Sequence, residues 1–414
     1  MKNLFAAILS IILLLTPFMV NCEEDIMREA VSACSEEIIM DPYAISEWNS
    51  QNESIFISYP LLADDLITRI KSISIIPSAK RYLKNSDGSY IETDYSYYRN
   101  LIDNINYDFI TDTNNIRYGF IIKRTPLKSF PSHDEAFSSP SSVHDRFLES
   151  TLYPFEPVAI LHQSNDKQWF FIKMYNYEGW VQMEDVAVTS FEVLKLYETN
   201  KNFIVITEPK AFIRYLDTEL DMGCNFPLVK EHDNYYTVLC PKKGSDNSLY
   251  FTFAHIDKND ANIGYLAYSE RNILSQAAKF IDEPYGWGGM NGNRDCSGLM
   301  MDIFRSMGIK LKRNTSQQEF MSPLRKDIKS MNKLEKETLL LTQHAGSLIF
   351  MDGHVMLFLG IIRNNAYILH DVTGYYADNS YINANKVTVT DVYIKNSQGY
   401  EYISLFTTFL FITE

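Results

Sequence analysis

Arg294-Asp295-Cys296-Ser297-Gly298-Leu299 is the stretch on which the reading of the fold turns. Behind it, Leu299, Met300, Ile303, Phe304 and Met307 recur at helical spacing, and Gly308 supplies a C-terminal stop. Cys296 therefore stands at or just before the first turn of a buried helix. Backbone N–H groups in that turn have no intrahelical acceptor, and the helix dipole is positive there. Both favour a thiolate, the nucleophilic form of cysteine. The position predicts a lowered thiol pKa; on position alone, a buried structural cysteine is the competing reading.

Upstream of this stretch lie a helix predicted over Ile273 to Phe280 and a glycine-rich loop, Tyr285-Gly286-Trp287-Gly288-Gly289. Downstream come three predicted strands, Ser347–Met351, His354–Ile361 and Ala366–Val372, and a last strand-like run from Tyr402 to Ile412. Of eight histidines, six (His133, His144, His162, His232, His255, His344) fall in loops or in the strand-rich middle of the chain. His354 opens one of the three strands and His370 closes the next. They are 16 residues apart. An odd-length turn puts both on one face; a two-residue Asn364-Asn365 turn puts them on opposite faces. If they share a face, His354 is a candidate general base for Cys296, and His370 a candidate group to orient it.

Residues 118–268 read differently. Short apolar runs alternate with polar turns, as in Pro157-Val158-Ala159-Ile160-Leu161, Trp169-Phe170-Phe171-Ile172-Lys173 and Phe203-Ile204-Val205-Ile206. Two small β-barrels in tandem are expected. Before them, residues 23–117 carry two predicted helices, Leu61–Ile76 and Tyr97–Ile110. Cys224 and Cys240 either pair as a disulfide or stand as two buried thiols.

The chain of 414 residues has 27 tyrosines, 25 phenylalanines and a formal net charge of −14. The aromatic content favours strands, and the acidity argues against a nucleic-acid partner. No ligand spacing suggests a structural zinc site, and no metal or cofactor is expected. Lys2 followed by a 17-residue apolar run, Leu4–Val20, reads as an export signal over residues 1–22. Cys22 stands where a lipoprotein cysteine would, although Asn21 makes a poor lipobox. Lipidation, ordinary cleavage and an uncleaved anchor all remain open, and the only expected membrane contact is through this segment.

Several motifs together resemble the NlpC-type cysteine peptidases of bacterial cell walls, which are papain-like enzymes. They are Pro284-Tyr285-Gly286-Trp287-Gly288-Gly289, Asp295-Cys296-Ser297-Gly298, Arg313-Asn314-Thr315-Ser316-Gln317-Gln318, Gly353-His354-Val355-Met356-Leu357-Phe358-Leu359-Gly360 and Ile368-Leu369-His370-Asp371. Phe130-Pro131, Asp145-Arg146-Phe147, Glu156-Pro157-Val158 and Gly179-Trp180-Val181 resemble the first bacterial SH3 domain of a branch that carries two. The resemblance implies an α+β chain. Its parts would be a signal (1–22), a helical stabilising segment (23–117), two SH3-like barrels (118–198 and 199–270) and a papain-like peptidase domain (271–414). It further implies a monomer of the cell envelope that cuts the γ-D-glutamyl-L-diamino-acid bond of peptidoglycan stem peptides. Cys296 would attack, His354 would take the thiol proton and His370 would orient His354. Asp295, Ser297 and Thr315 would contact the stem peptide. Tyr285 would help stabilise the oxyanion. Asp145 or Glu149, with Tyr177, would hold a free L-Ala amine. The alternative is a catalytically inactive wall-binding scaffold that uses the SH3-like barrels.

Overall fold

Two tight turns set the register of the sheet that carries both strand histidines. In the computed structural model, which describes residues 22–51, 54–57, 61–216 and 218–413, Asp352-Gly353 joins strand Leu348–Met351 to strand His354–Ile362. Arg363-Asn364 then joins that strand to Asn365–Val372. Both of the latter turn residues have positive φ, 51° and 67°, the geometry of a two-residue hairpin turn that follows strand twist. Such a turn alone would send the histidines to opposite faces. A bulge intervenes: Phe358 pairs with Ile368, but Gly360 pairs with Tyr367. The one extra residue shifts the register beyond it by one, so His354 and His370 share a face. The expectation that a shared face needs an odd turn is corrected in its mechanism, because the bulge supplies the odd residue.

Gly360 makes that bulge with φ 107°. A Cβ there would meet nothing within 4 Å, so its cost would be backbone strain and not crowding. Gly360→Val is expected to lose about 1–3 kcal/mol in urea unfolding. Retention of full stability would show that the hairpin can dispense with the bulge.

The described chain forms two compact units. The first comprises residues 22–39, 269–283 and 324–412. Its antiparallel six-stranded sheet runs in the order Lys326–Asp327, Thr408–Leu410, Leu348–Met351, His354–Ile362, Asn365–Val372, Lys386–Asp391. The core gathers Ile349, Met356, Phe358 and Ile368 with Tyr402, Ile403 and Phe406. The strand-like run from Tyr402 to Ile412 is instead a short helix, Tyr402–Leu405, followed by the strand Thr408–Leu410. Adjacent Tyr402 and Ile403 are both buried, which an alternating strand on one core face would not do; short apolar runs do not distinguish the two states.

The second unit comprises the described residues of 40–268, the segment 284–323 and residue 413. Its helices include Pro42–Gln51, Ala63–Ile73 and Tyr95–Ile105. The last is capped by Asp94, which accepts the Tyr97 N–H at 2.8 Å. A seven-stranded sheet runs from Val186–Thr189 through Arg117–Ile121, Pro157–Gln163, Trp169–Lys173, Glu178–Gln182 and Thr125–Lys128 to Leu148–Leu152. Leu66 and Ile70 of one helix pack with Trp169, Phe171 and Trp180 of this sheet. A five-stranded sheet occupies Phe203–Ile263. Cys224 and Cys240 lie in its core as free thiols, not as a disulfide. The expected export signal, residues 1–22, lies outside the described residues save for the backbone of Cys22, which begins the helix Cys22–Ala33. Among the described residues no helix is long and apolar enough to cross a membrane.

Candidate active site

Cys296 is the first residue of the helix Cys296–Arg305. It is 8% exposed, and its Sγ lies 3.7 Å from Thr315 Oγ1. Asp295 is the N-cap. Its Oδ1 accepts the Gly298 N–H at 2.8 Å and the Ser297 hydroxyl at 3.0 Å. Its Oδ2 accepts the Gly288 N–H at 3.1 Å and an Arg313 N–H at 2.7 Å. Arg313 also donates to Ser297 Oγ at 2.9 Å and to Ser150 Oγ at 2.7 Å. Burial pushes the Asp295 carboxyl up, but Arg313 and the donors from Gly298 and Ser297 outweigh it and hold it below the usual carboxylate range. An ionised, Arg-paired cap matters for the neighbour. A lone carboxylate beside Cys296 would oppose a thiolate, whereas a neutralised pair leaves the helix end to act on the sulfur.

The glycine-rich loop is held from several sides. Thr151 donates to the Gly288 carbonyl at 2.9 Å, and Arg124 to the carbonyls of Gly289 and Asn293 at 3.3 and 3.2 Å. Gly289 has φ 93°, and a Cβ there would come within 2.5 Å of Thr151 Oγ1, so no other residue fits. Tyr285 bridges to Arg294 and Trp287 donates its indole N–H to the Asp145 carbonyl at 3.1 Å. Trp287 has two further contacts: the His144 ring stacks on it at 5.0 Å, and the Arg146 guanidinium lies 4.7 Å from its centroid.

Asp145 and Glu149, the two candidate amine ligands, have unequal surroundings. Asp145 is buried and accepts the N–H groups of Ala136 and Phe147, both at 2.9 Å, with Lys128 at 3.3 Å. Glu149 is half-buried and bonded to the Tyr177 hydroxyl at 2.7 Å. Burial raises its carboxyl against that hydrogen bond and Arg313.

In the other unit, His354 Nε2 and His370 Nδ1 are 3.1 Å apart, and His370 Nε2 is 3.2 Å from Thr390 Oγ1. Tyr402 stands edge-on to both rings. His370 is fully buried. Burial, with the charge of His354, holds its imidazole well below the ordinary range. Burial pushes His354 down to about 4. A neutral His370 that gives its Nε2 proton to Thr390 must accept at Nδ1, so His354 carries its proton on Nε2 and presents Nδ1 as a base.

Residues 282–402 match the model of the NlpC/P60 family. The chain carries an NlpC/P60 domain. Residues 135–182 match an SH3 domain of SH3b1 type; the second predicted SH3 domain has no such match. Over 148 residues the chain is 26% identical to a γ-D-glutamyl-L-lysine dipeptidyl-peptidase of Bacillus subtilis, covering 34% of this chain and 45% of that protein. Dipeptidyl-peptidase 6 of Lysinibacillus sphaericus is 25% identical over 228 residues, 53% of this chain and 79% of the relative. The chain thus spans less than half of the first relative's length. An NlpC/P60 endopeptidase from Photobacterium damselae subsp. piscicida shares the fold with a TM-score of 0.71, at 20% identity over 88% of this chain and 90% of that one.

Some groups around these sites carried no sequence signal of their role. Thr390 and Tyr402 close the histidine relay from elements remote in sequence. Arg294 and Arg313 stand in motifs quoted above, yet nothing in the motifs says that both are buried. Arg294 is 1% exposed, bonded to Asp302 Oδ2 at 2.7 Å, Asp221 Oδ1 at 3.0 Å and the Pro209 carbonyl at 2.7 Å.

Proposed function

We propose that the chain is an exported cysteine endopeptidase that hydrolyses the γ-D-glutamyl-L-diamino-acid bond of peptidoglycan stem peptides, preferring a free N-terminal L-Ala, in wall remodelling or recycling. The observation that carries this reading is the hydrogen-bonded series His354–His370–Thr390, which is compatible with a His354 whose Nε2 proton goes to His370 and whose Nδ1 is the base. The NlpC/P60 match and the names of the relatives support the substrate class.

In this reading Cys296 Sγ attacks the γ-glutamyl carbonyl and His354 Nδ1 takes the thiol proton. The Cys296 N–H, at the first residue of its helix, stabilises the oxyanion. Collapse expels the diamino-acid amine, protonated by His354, and leaves a thioester. Water, deprotonated by His354, then releases the glutamyl product and restores the thiol. Glu149 with Tyr177 is the better ammonium receptor, because the Asp145 carboxylate is already occupied by two backbone donors and Lys128. Asp295 and Ser297 act by holding the helix start, and Thr315 and Tyr285 border the thiol and its loop. Residues 1–22 direct export, with Cys22 a candidate for lipid attachment.

The test is mass spectrometry of products from a defined L-Ala-γ-D-Glu-diamino-acid peptide, with the amine free or acetylated. The native chain is expected to release the dipeptide from the free substrate and at least ~100-fold more slowly from the acetylated one, since a buried carboxylate left without its cation costs about 3–5 kcal/mol. Cys296→Ala is expected to release none. Cleavage by that variant would sink the mechanism.

A further inference from the structure

Away from Cys296, the second unit holds a partly open pocket of about 370 Å³, within the size range of small-molecule sites. It lies at the other end of the Cys296 helix. Arg305, in the last turn of that helix, and Lys310, just beyond, both line it. So do Glu198, Tyr175, Asn225 and Phe56.

The charges in it are balanced but not all matched. Arg305 is ion-paired to Glu156 at 3.0 Å. Lys310 and Glu198 line the same cavity, yet no ion pair of 4 Å or less joins them among the described residues. The ammonium of Lys310 lies 5.5 Å from the Tyr175 ring centroid, a cation–π distance. The Tyr175 hydroxyl is itself buried with no hydrogen-bond partner. Burial raises the Glu198 carboxyl, partly offset by Lys310 and Arg305. The buried hydroxyl without a partner is costly in a folded chain, and the two half-buried opposite charges line the pocket without meeting each other. One kind of ligand satisfies all three. A lone anion would answer Lys310 and leave Glu198; a lone cation would do the reverse. A small zwitterion answers both.

We propose that this cavity is a binding site for a free α-amino acid. Its carboxylate meets Lys310 and the Tyr175 hydroxyl, its ammonium meets Glu198, and its side chain lies toward Phe56. The site is separate from the proposed ammonium receptor at Glu149 and does not depend on the peptidase reading.

The test is isothermal titration of the full-length chain with L-alanine, L-glutamate and L-leucine in turn, and with propionate and ethylamine as single-charge controls. At least one amino acid is expected to bind, and neither control. Lys310→Met and Glu198→Gln are each expected to weaken binding at least tenfold, and Tyr175→Phe, which removes only an oxygen, by a smaller factor. Binding that is lost in Glu149→Gln and kept in Lys310→Met would belong to the amine receptor and would overturn the proposal. Binding of none of the three amino acids up to ~10 mM, the weak end of useful affinity, would overturn the proposal. So would equal binding of propionate or ethylamine, or binding that survives in Tyr175→Phe and both charge variants.

Discussion

His354→Gln is expected to lower kcat/KM on a defined stem peptide by about 10²–10⁴-fold, with the far-ultraviolet circular dichroism of the native chain. Glutamine keeps a polar side chain beside His370 but cannot take a proton at neutral pH. Alkylation of Cys296 by iodoacetamide, followed against pH, is the companion measurement. The native profile should show a thiol that reacts below the ordinary thiol pKa of ~8.5, and the variant profile should move toward that value. A variant within tenfold of native activity would remove His354 from the role of base. A second consequence follows from protonation. Burial holds His354 neutral down to about 4, against an ordinary 6.5. The unfolded chain therefore binds more protons between these values, and stability falls as pH drops from 6.5 toward 4. Glutamine does not titrate, so the variant should lose less stability over that window than the native chain does.

The larger structural effect belongs to Arg294. Its guanidinium serves Asp302 and Asp221, each 0% exposed, and the Pro209 carbonyl. Tyr153 donates a further hydrogen bond to Asp302 at 2.9 Å, and Arg124 pairs with Asp221. Arg294→Met would leave two buried carboxylates short of their shared cation. Breaking one side of a buried pair costs about 3–5 kcal/mol, because the remaining charge stays out of water. Arg294→Lys should recover only part, since an ammonium cannot span two carboxylates as a fork does. The chain has four tryptophans, Trp48, Trp169, Trp180 and Trp287. All lie in the second unit, so urea unfolding followed by tryptophan fluorescence reads that unit alone. A loss under about 1 kcal/mol, the size of an exposed pair, would mean that water reaches this cluster.

The same two regions show what the sequence made legible. The helix behind Cys296 was readable because Leu299, Ile303 and Met307 recur at its period, and the observed span is Cys296–Arg305. The strands bearing the two histidines were readable to within a residue at each end. Their common face was not. It depends on one unpaired residue at Leu359-Gly360, and a glycine inside an apolar run signals a bulge no more clearly than a loop. The arginine cluster was illegible for another reason. Arg294 meets partners 8 and 73 residues away, and in a chain with 52 acidic residues no local pattern says which two are buried. The seven- and five-stranded sheets were foreseeable as strand-rich stretches, but their strand orders were not, because strand order rests on pairings between distant segments.

The match over residues 282–402 crosses from one compact unit to the other and back. A catalytic module lifted out at residue 271, where the motifs place its edge, would not travel intact. Arg294 would leave Asp221 and the Pro209 carbonyl behind, Arg305 would leave Glu156, and Arg313 would leave Ser150. Arg294 and Arg313, both buried, and the partly buried Arg305 would lose the partners that compensate their charge. Cys296 and the upstream sheets are bound to be inherited together, and recombination or truncation at that joint is selected against by electrostatics before any loss of substrate recognition is felt.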